Sequence, residues 1–283
     1  MKYIKTEVGS AITILNAIYA DFGAAIGIDI PISIEIRESD NLVITTNPEN
    51  SPDLINACLE LVSSESHITI ENIEISTYSP LPSQRGLKTS SAISSALIHA
   101  LSDYYDLQYS IPEVILLASA ASIRAGVSIT GAYDDAYASY CGGMVITETI
   151  TKMPVHHIDI KLDDQLMLLI PNSILVKSDI DISRYYMDGE EQKMIIKNIM
   201  DKNIYEAIRI NTAYYAPKLF PNHSIISELS KLPCELIGLN GAGPSLFVLC
   251  ANKDINRFII SMKESFPEYE IMKTSLKPLY RVF

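Results

Sequence analysis

The chain has 283 residues, 48% of them hydrophobic, and a formal net charge of −12. That length and apolar content fill one large core or two modest ones, and the acidic balance excludes a broad nucleic-acid footprint, which needs a basic surface. A small anionic ligand stays within reach, held locally by Arg85, Lys88 or backbone N–H groups against an unfavourable overall field.

Residues 31–37, P-I-S-I-E-I-R, alternate with period two and predict a half-buried strand, with 42–46 as its neighbour. Residues 51–64 read as a helix, and 67–77 alternate again before a loop at 79–89. Helices follow at about 90–105 and 112–125, the second with Pro112 at its start. The segment V-S-I-T-G-A-Y-D-D-A-Y-A-S-Y-C-G-G occupies 127–143 and leads into a strand at 143–149. Pro154, His156, His157 and the charges of 150–165 suggest a crossover between two halves, with the two histidines solvated in a loop. Beyond it the sequence predicts strands at 165–171 and 173–178 and helices at 187–216 and 222–231. A turn at 239–245, a strand at 245–250, a helix at 252–264, a strand at 268–274 and a last strand near 277–282 complete the order. Strands and helices without strict alternation favour an α+β fold.

Cys58, Cys141, Cys234 and Cys250 include no C-x-x-C pair and match no zinc spacing. They are expected to be reduced and mostly buried, as in a cytoplasmic protein. No signal-peptide pattern opens the sequence, and apolar runs such as 165–171 are too short to span a bilayer, so no membrane partner is expected.

The most informative segment is 82–92, P-S-Q-R-G-L-K-T-S-S-A, which runs into a helix with Ile93, Leu97, Ala100, Leu101 and Tyr104 at helical spacing. A glycine-centred loop meeting a helix start gathers unpaired N–H groups and the positive helix end, which suits a phosphate. Gly86 lets the backbone turn closely. Thr89, Ser90 and Ser91 can cap the helix, and one of them can bind a phosphate-linked Mg²⁺. The segment is not a Walker A loop, because Pro82 and Leu87 stand where its two glycines belong. A plain serine cap after a surface loop explains the local pattern equally well.

Three segments together point further. The sequence P-S-Q-R-G-L-K-T-S-S-A resembles the second motif of the GHMP kinase superfamily, P-x-x-x-G-L-x-S-S-A, with one extra residue before Ser90. Its first motif is similar to G-S-A-I-T-I-L-N-A-I at 9–18 with G-A-A-I-G-I-D at 23–29, and its third to N-G-A-G-P-S at 240–245. The G-L-K-[ST]-S-S-A variant and T-G-A-Y-D-D-A at 130–136 resemble the archaeal-type shikimate kinases of that superfamily. The resemblance implies a two-domain α+β fold, a ribosomal-protein-like N-terminal domain over 1–155 and a ferredoxin-like C-terminal domain over 156–283. It also implies ATP and Mg²⁺, an acceptor cleft between the halves, and ATP-dependent phosphorylation of shikimate at its 3-hydroxyl.

On that basis Pro82, Ser83, Gln84, Arg85, Gly86, Leu87, Lys88, Thr89, Ser90 and Ser91 are expected to cradle the ATP phosphates, with Ser91 reaching Mg²⁺. Lys88 is open to a phosphate contact, although lysines in loops are usually solvated. Asp134 and Asp135 are the candidates to orient the attacking hydroxyl or take its proton. Neighbours on a helix point about 100° apart, so only one is expected to face the cleft. Counting from Gly131 favours Asp134, the first choice, and counting back from Gly142-Gly143 favours Asp135. Both also fit a helix start, where carboxylates are favourable. The glutamate that mevalonate kinase-like members use for Mg²⁺ has no counterpart, since 114–133 holds no acidic residue.

Gly241, Ala242, Gly243 and Pro244 are expected to bring backbone to the ligand from the second half, or simply to make a tight turn. Asn16, Ser128 and Thr130 are candidate polar cleft contacts. Arg85, Arg124 and Arg184 are candidates for a substrate carboxylate, and His67, His99, His156, His157 and His223 form no metal-ligand pattern. Homoserine kinase is the nearest enzymatic alternative, but that family typically shows an asparagine-rich segment in place of T-G-A-Y-D-D-A. A non-catalytic sensor on the same fold is disfavoured by the intact Ser91 and aspartates. An RNA-binding ribosomal-type domain is disfavoured by the net charge of −12.

Overall fold

The computed structural model describes residues 2–17, 20–46, 52–174, 186–219 and 224–280. Strands β1 (Tyr3–Leu15) and β2 (Phe22–Glu38) pair antiparallel along most of their length. The second is long enough to serve two further partners. Its first part pairs with β5 (Met144–Glu148) and its last part with β4 (Ile73–Tyr78), both antiparallel. A short β3 (Val43–Thr45) adds parallel to β4, and β6 (Met153–Ile158) adds antiparallel to β5. The order is β3-β4-β2-β5-β6, with β1 on β2. Residues 42–46 are therefore separated from 31–37 by β4. The expected crossover at 150–165 instead carries β6, a hairpin partner of β5, and the expected division at 155/156 falls within that strand.

One face of this sheet is covered by α1 (Pro52–Ser66), α2 (Thr89–Tyr105), α3 (Ile111–Arg124) and α4 (Tyr133–Cys141). The other joins a core built on a second, antiparallel sheet, β10-β7-β9-β8. Its strands are β7 (Gln165–Pro171), β8 (Leu236–Leu239), β9 (Leu246–Cys250) and β10 (Tyr269–Thr274). Helices α5 (Gly189–Met200), α6 (Ile204–Leu219), α7 (Ser224–Leu229) and α8 (Ile255–Ser265) complete the second half. The single helix expected over 187–216 is broken at 201–203 into α5 and α6. Most of the strand expected at 173–178 lies outside the described residues.

The alternation of β2 explains how one strand serves both cores. Ile26, Ile28 and Ile30 belong to the core shared with the second sheet, whereas Ile32, Ile34 and Ile36 belong to the helical side. The parity is unbroken, so the strand itself must turn over. It does so where Val8 pairs with Ile32 but Ser10 pairs with Ile28, an irregularity that gives β2 the longer path around Pro31. Residues 275–280 dock beside it: Asp29 N donates to Ser275 O (2.9 Å), and Lys277 N donates to Gly27 O (2.8 Å). The expected last strand is thus, over its described part, an extended segment laid across the first sheet.

Candidate active site

The loop before α2 is stitched to two distant parts of the chain. Ser10 Oγ donates to Leu87 O (2.6 Å) and Ser245 N to Arg85 O (3.2 Å). Gly86 has φ +79°, and a Cβ there would lie 2.3 Å from Asn240 O, so only glycine lets the loop and the 240–245 turn lie this close. Lys88 starts α2 in the left-handed region (φ 60°), and no side chain caps the helix. The expected hydroxyl cap is therefore absent. The first intrahelical bond is Ala92 N to Lys88 O (3.1 Å), which leaves the N–H groups of Thr89, Ser90 and Ser91 without a helical partner. Buried serines further along satisfy themselves on the helix, Ser95 Oγ donating to Ser91 O (2.9 Å).

This helix start opens into a cleft of about 280 Å³. Of the residues expected around a phosphate, Ser83, Gln84, Gly86, Leu87, Lys88, Thr89, Ser90 and Ser91 line it. Pro82 and Arg85 stand behind: Pro82 O accepts from Thr89 Oγ1 (3.4 Å), and Arg85 Nη2 donates to Asn172 O (3.2 Å). The opposite walls come from Asn16, 126–130, Asp134, Asp135 and Gly241–Gly243. The third turn is fixed to β1 by Gly241 N donating to Thr13 Oγ1 (2.9 Å) and Asn16 Nδ2 donating to Gly241 O (2.8 Å). Asn16 is itself gripped by α6, since its N–H donates to Asn211 Oδ1 (3.0 Å) and its carbonyl accepts from Tyr215 OH (3.2 Å). Asn211 and Tyr215 fall outside every sequence motif, because nothing local announces a bond to so distant a segment.

Helix α4 carries both aspartates in its first turn, after a left-handed Ala132 (φ 50°). Both line the cleft, contrary to the expectation that one would turn away, because each carboxyl has its own receptor. Asp135 Oδ2 pairs with Lys88 Nζ at 2.9 Å, with the two side chains 10% and 9% exposed. Its Oδ1 is buried and has no hydrogen-bond partner among the described residues. Lys88 is thus a buried partner rather than a solvated loop lysine. The Asp134 carboxyl instead packs against Gly23, where a Cβ would lie 2.8 Å from its Cγ. Burial, with the Asp135 charge beside it, pushes the Asp134 carboxyl from its ordinary 3.8 up to about 8, against the pull of Lys88.

That shift has a stability consequence. Between pH 3.8 and about 8 the folded state holds a proton on Asp134 that the unfolded chain has released. Stability therefore falls as pH rises through that window and levels off above it. Asp134→Asn removes the group, so the variant is expected to gain in melting temperature on the parent at pH 8 relative to pH 5. Parallel pH dependences in thermal unfolding of the two proteins would contradict the raised carboxyl.

The other candidates lie elsewhere. Arg124 pairs with Glu60 at 2.6 Å on the surface of α3, and Arg184 and His223 lie outside the described residues. Among the described residues Lys88 is the only cationic side chain lining the cleft. His156 and His157 sit in β6 rather than a loop. His157 Nε2 donates to Gly142 O (2.9 Å), and burial pulls its pKa down. Among the described residues no three His, Cys, Asp or Glu side chains gather as a metal cluster, and no helix is long and apolar enough to cross a membrane. Cys58, Cys141 and Cys250 are buried, Cys234 is half-buried, and among the described residues none of the four forms a disulfide.

Comparison with known proteins matches residues 53–143 to the GHMP kinases N terminal domain. Over 251 residues the chain is 32% identical to a shikimate kinase of Pyrococcus furiosus, covering 85% of this chain and 89% of the relative. The chain belongs to the archaeal-type shikimate kinase family. Another member, a shikimate kinase of Methanothermobacter thermautotrophicus, is 28% identical over 274 residues, 95% of this chain and 93% of that one. Among solved structures, the Lactococcus lactis galactokinase superposes with a TM-score of 0.79 at 10% identity, covering 98% of this chain and 94% of that one. A homoserine kinase of Cytophaga hutchinsonii gives 0.76 at 15% identity, covering 99% and 96%. The family's fold here is that of the GHMP kinases, as the three motifs implied.

Proposed function

We infer that the chain transfers the terminal phosphoryl group of ATP to the 3-hydroxyl of shikimate, giving 3-phosphoshikimate and ADP. The observation that carries this reading is the meeting of three segments far apart in sequence, around Asn16, Gly86–Ser91 and Gly241–Gly243, in one cleft that also holds both aspartates. Identity to shikimate kinases over most of the chain supports the choice of acceptor. The reading is of a soluble cytoplasmic enzyme whose partners are ATP and a small hydroxylated carboxylate.

Phosphoryl transfer asks a protein chiefly for positioning and charge stabilisation. The uncapped start of α2 offers both, with three N–H groups and the positive helix end facing the cleft. Leu54, Val127 and Ile129 give the cleft an apolar side suited to a nucleotide base. The donors also fit Mg²⁺, which prefers oxygen and keeps several waters, so the Ser91 hydroxyl needs no full protein cage around it. Bound Mg²⁺ supplies neutralisation of phosphate charge.

The two aspartates divide the remaining work. Asp135 lines the cleft and is held there by Lys88, which suits it to orient the acceptor hydroxyl and take its proton as the hydroxyl oxygen bonds the terminal phosphorus. Asp134, neutral up to about pH 8, suits a packing and hydrogen-bonding role beside it. This geometry favours the count from Gly142-Gly143 over the count from Gly131. ADP release measured with shikimate, homoserine, mevalonate and galactose in turn, with and without Mg²⁺, tests the reading. Mg²⁺-dependent turnover of shikimate is expected, and turnover of homoserine without shikimate would overturn the acceptor.

A further inference from the structure

Helix α4 brings the aspartates to the cleft, and its far end is capped by residues remote in sequence. All nine of its residues are buried. The last carbonyls of any helix lack intrahelical donors, and here three successive ones are served from outside. Tyr140 O accepts from the Tyr280 hydroxyl, Cys141 O from Tyr280 N (3.0 Å), and Gly142 O from His157 Nε2 (2.9 Å). The close fit depends on glycine: Gly142 has φ +73°, and a Cβ there would lie 2.1 Å from Pro278 O. The tail is held in turn by Gly143 N donating to Lys277 O (2.9 Å) and Lys277 N donating to Gly27 O (2.8 Å).

A helix of nine residues is only about 13 Å long, so a displacement of its capped end moves the first turn with it. We propose that Tyr280 and His157 are positioning residues, which cap α4 from the C-terminal segment and from β6 and thereby set how far Asp135 reaches toward Lys88 and the acceptor. The inference rests on the reading of Asp135 as the proton-accepting group.

The test compares His157→Leu, His157→Gln, Tyr280→Phe and the double variant Tyr280→Phe/His157→Leu with the parent, by steady-state ADP release with shikimate and by crystallography. Misplacement of a reacting group by about 1 Å costs up to about 100-fold in rate. The double variant is accordingly expected to lose about 10- to 100-fold in kcat with KM for ATP nearly unchanged. His157→Gln, which keeps an amide donor, is expected to recover most of the loss seen in His157→Leu. Unchanged kcat in the double variant, or a loss shared with KM for ATP and not rescued by glutamine, overturns the proposal. If the parent does not turn over shikimate, the functional reading fails instead, and the positioning claim is decided by the crystal structure of the double variant. There an intact Lys88–Asp135 contact overturns it, and a separation beyond about 4 Å, the limit of an ion pair, supports it.

Discussion

Asp135→Asn is expected to lower kcat by about 10²–10⁴-fold, the range that proton transfer by a positioned side chain contributes, with little change in KM for ATP. The amide keeps the shape of the carboxylate and can still accept a hydrogen bond, so the acceptor hydroxyl is still met, but its proton has nowhere to go. Asp134→Asn is expected to be mild at neutral pH. Burial already holds that carboxyl neutral up to about pH 8, and an amide closely mimics a neutral acid packed against Gly23. Steady-state kinetics of the two variants with shikimate separate the roles. A severe Asp134→Asn with a mild Asp135→Asn would restore the count from Gly131, and two mild variants would remove the proton-transfer role from both.

Where the sequence was legible, the reason was local. The period of 31–37 announces half of β2, and Pro112 with helical spacing announces α3. The P-S-Q-R-G-L-K-T-S-S-A segment announces a tight loop and a helix start, because glycine, proline and hydroxyl residues act on their own backbone. β1 was not visible, because Gly9, Ser10, Ala11 and Thr13 mix small and polar residues into a strand buried along its second half. Their small size has a cause elsewhere: a Cβ at Gly9 would lie 2.5 Å from Ile28 O, and Thr13 accepts from Gly241. β6 hid behind two histidines and a proline, its outer edge position tolerating Met153 and Val155 half out in solvent. In the cleft, the hydroxyl and glycine residues were legible but the Lys88–Asp135 pair was not. Lys88 reads in the sequence as a solvated loop lysine, because its partner Asp135 sits on another helix. Adjacent helical side chains do diverge, yet both aspartates line the cleft, one held by Lys88 and the other packed against Gly23.

Lys88→Met is expected to damage both stability and turnover. The pair is about nine-tenths buried on both sides, so removing the ammonium leaves a carboxylate in a poorly solvated place, a change that costs about 3–5 kcal/mol in comparable buried pairs. The carboxylate also loses the partner that holds it at the cleft, so kcat falls with stability. Arginine is no substitute, because the amine lies against Gly241, where even an added Cβ would be 2.9 Å from Nζ, and a planar guanidinium needs more room. The decisive measurement is a double-mutant cycle of Lys88→Met and Asp135→Asn followed by urea unfolding. If the two groups neutralise each other, the double variant is less destabilised than the sum of the single losses, because no buried charge is then left unpaired. Its kcat stays low, since the proton acceptor is gone. Strictly additive losses would mean that Lys88 and Asp135 act independently, and the assignment of Lys88 as the partner that holds Asp135 at the cleft would fall with them.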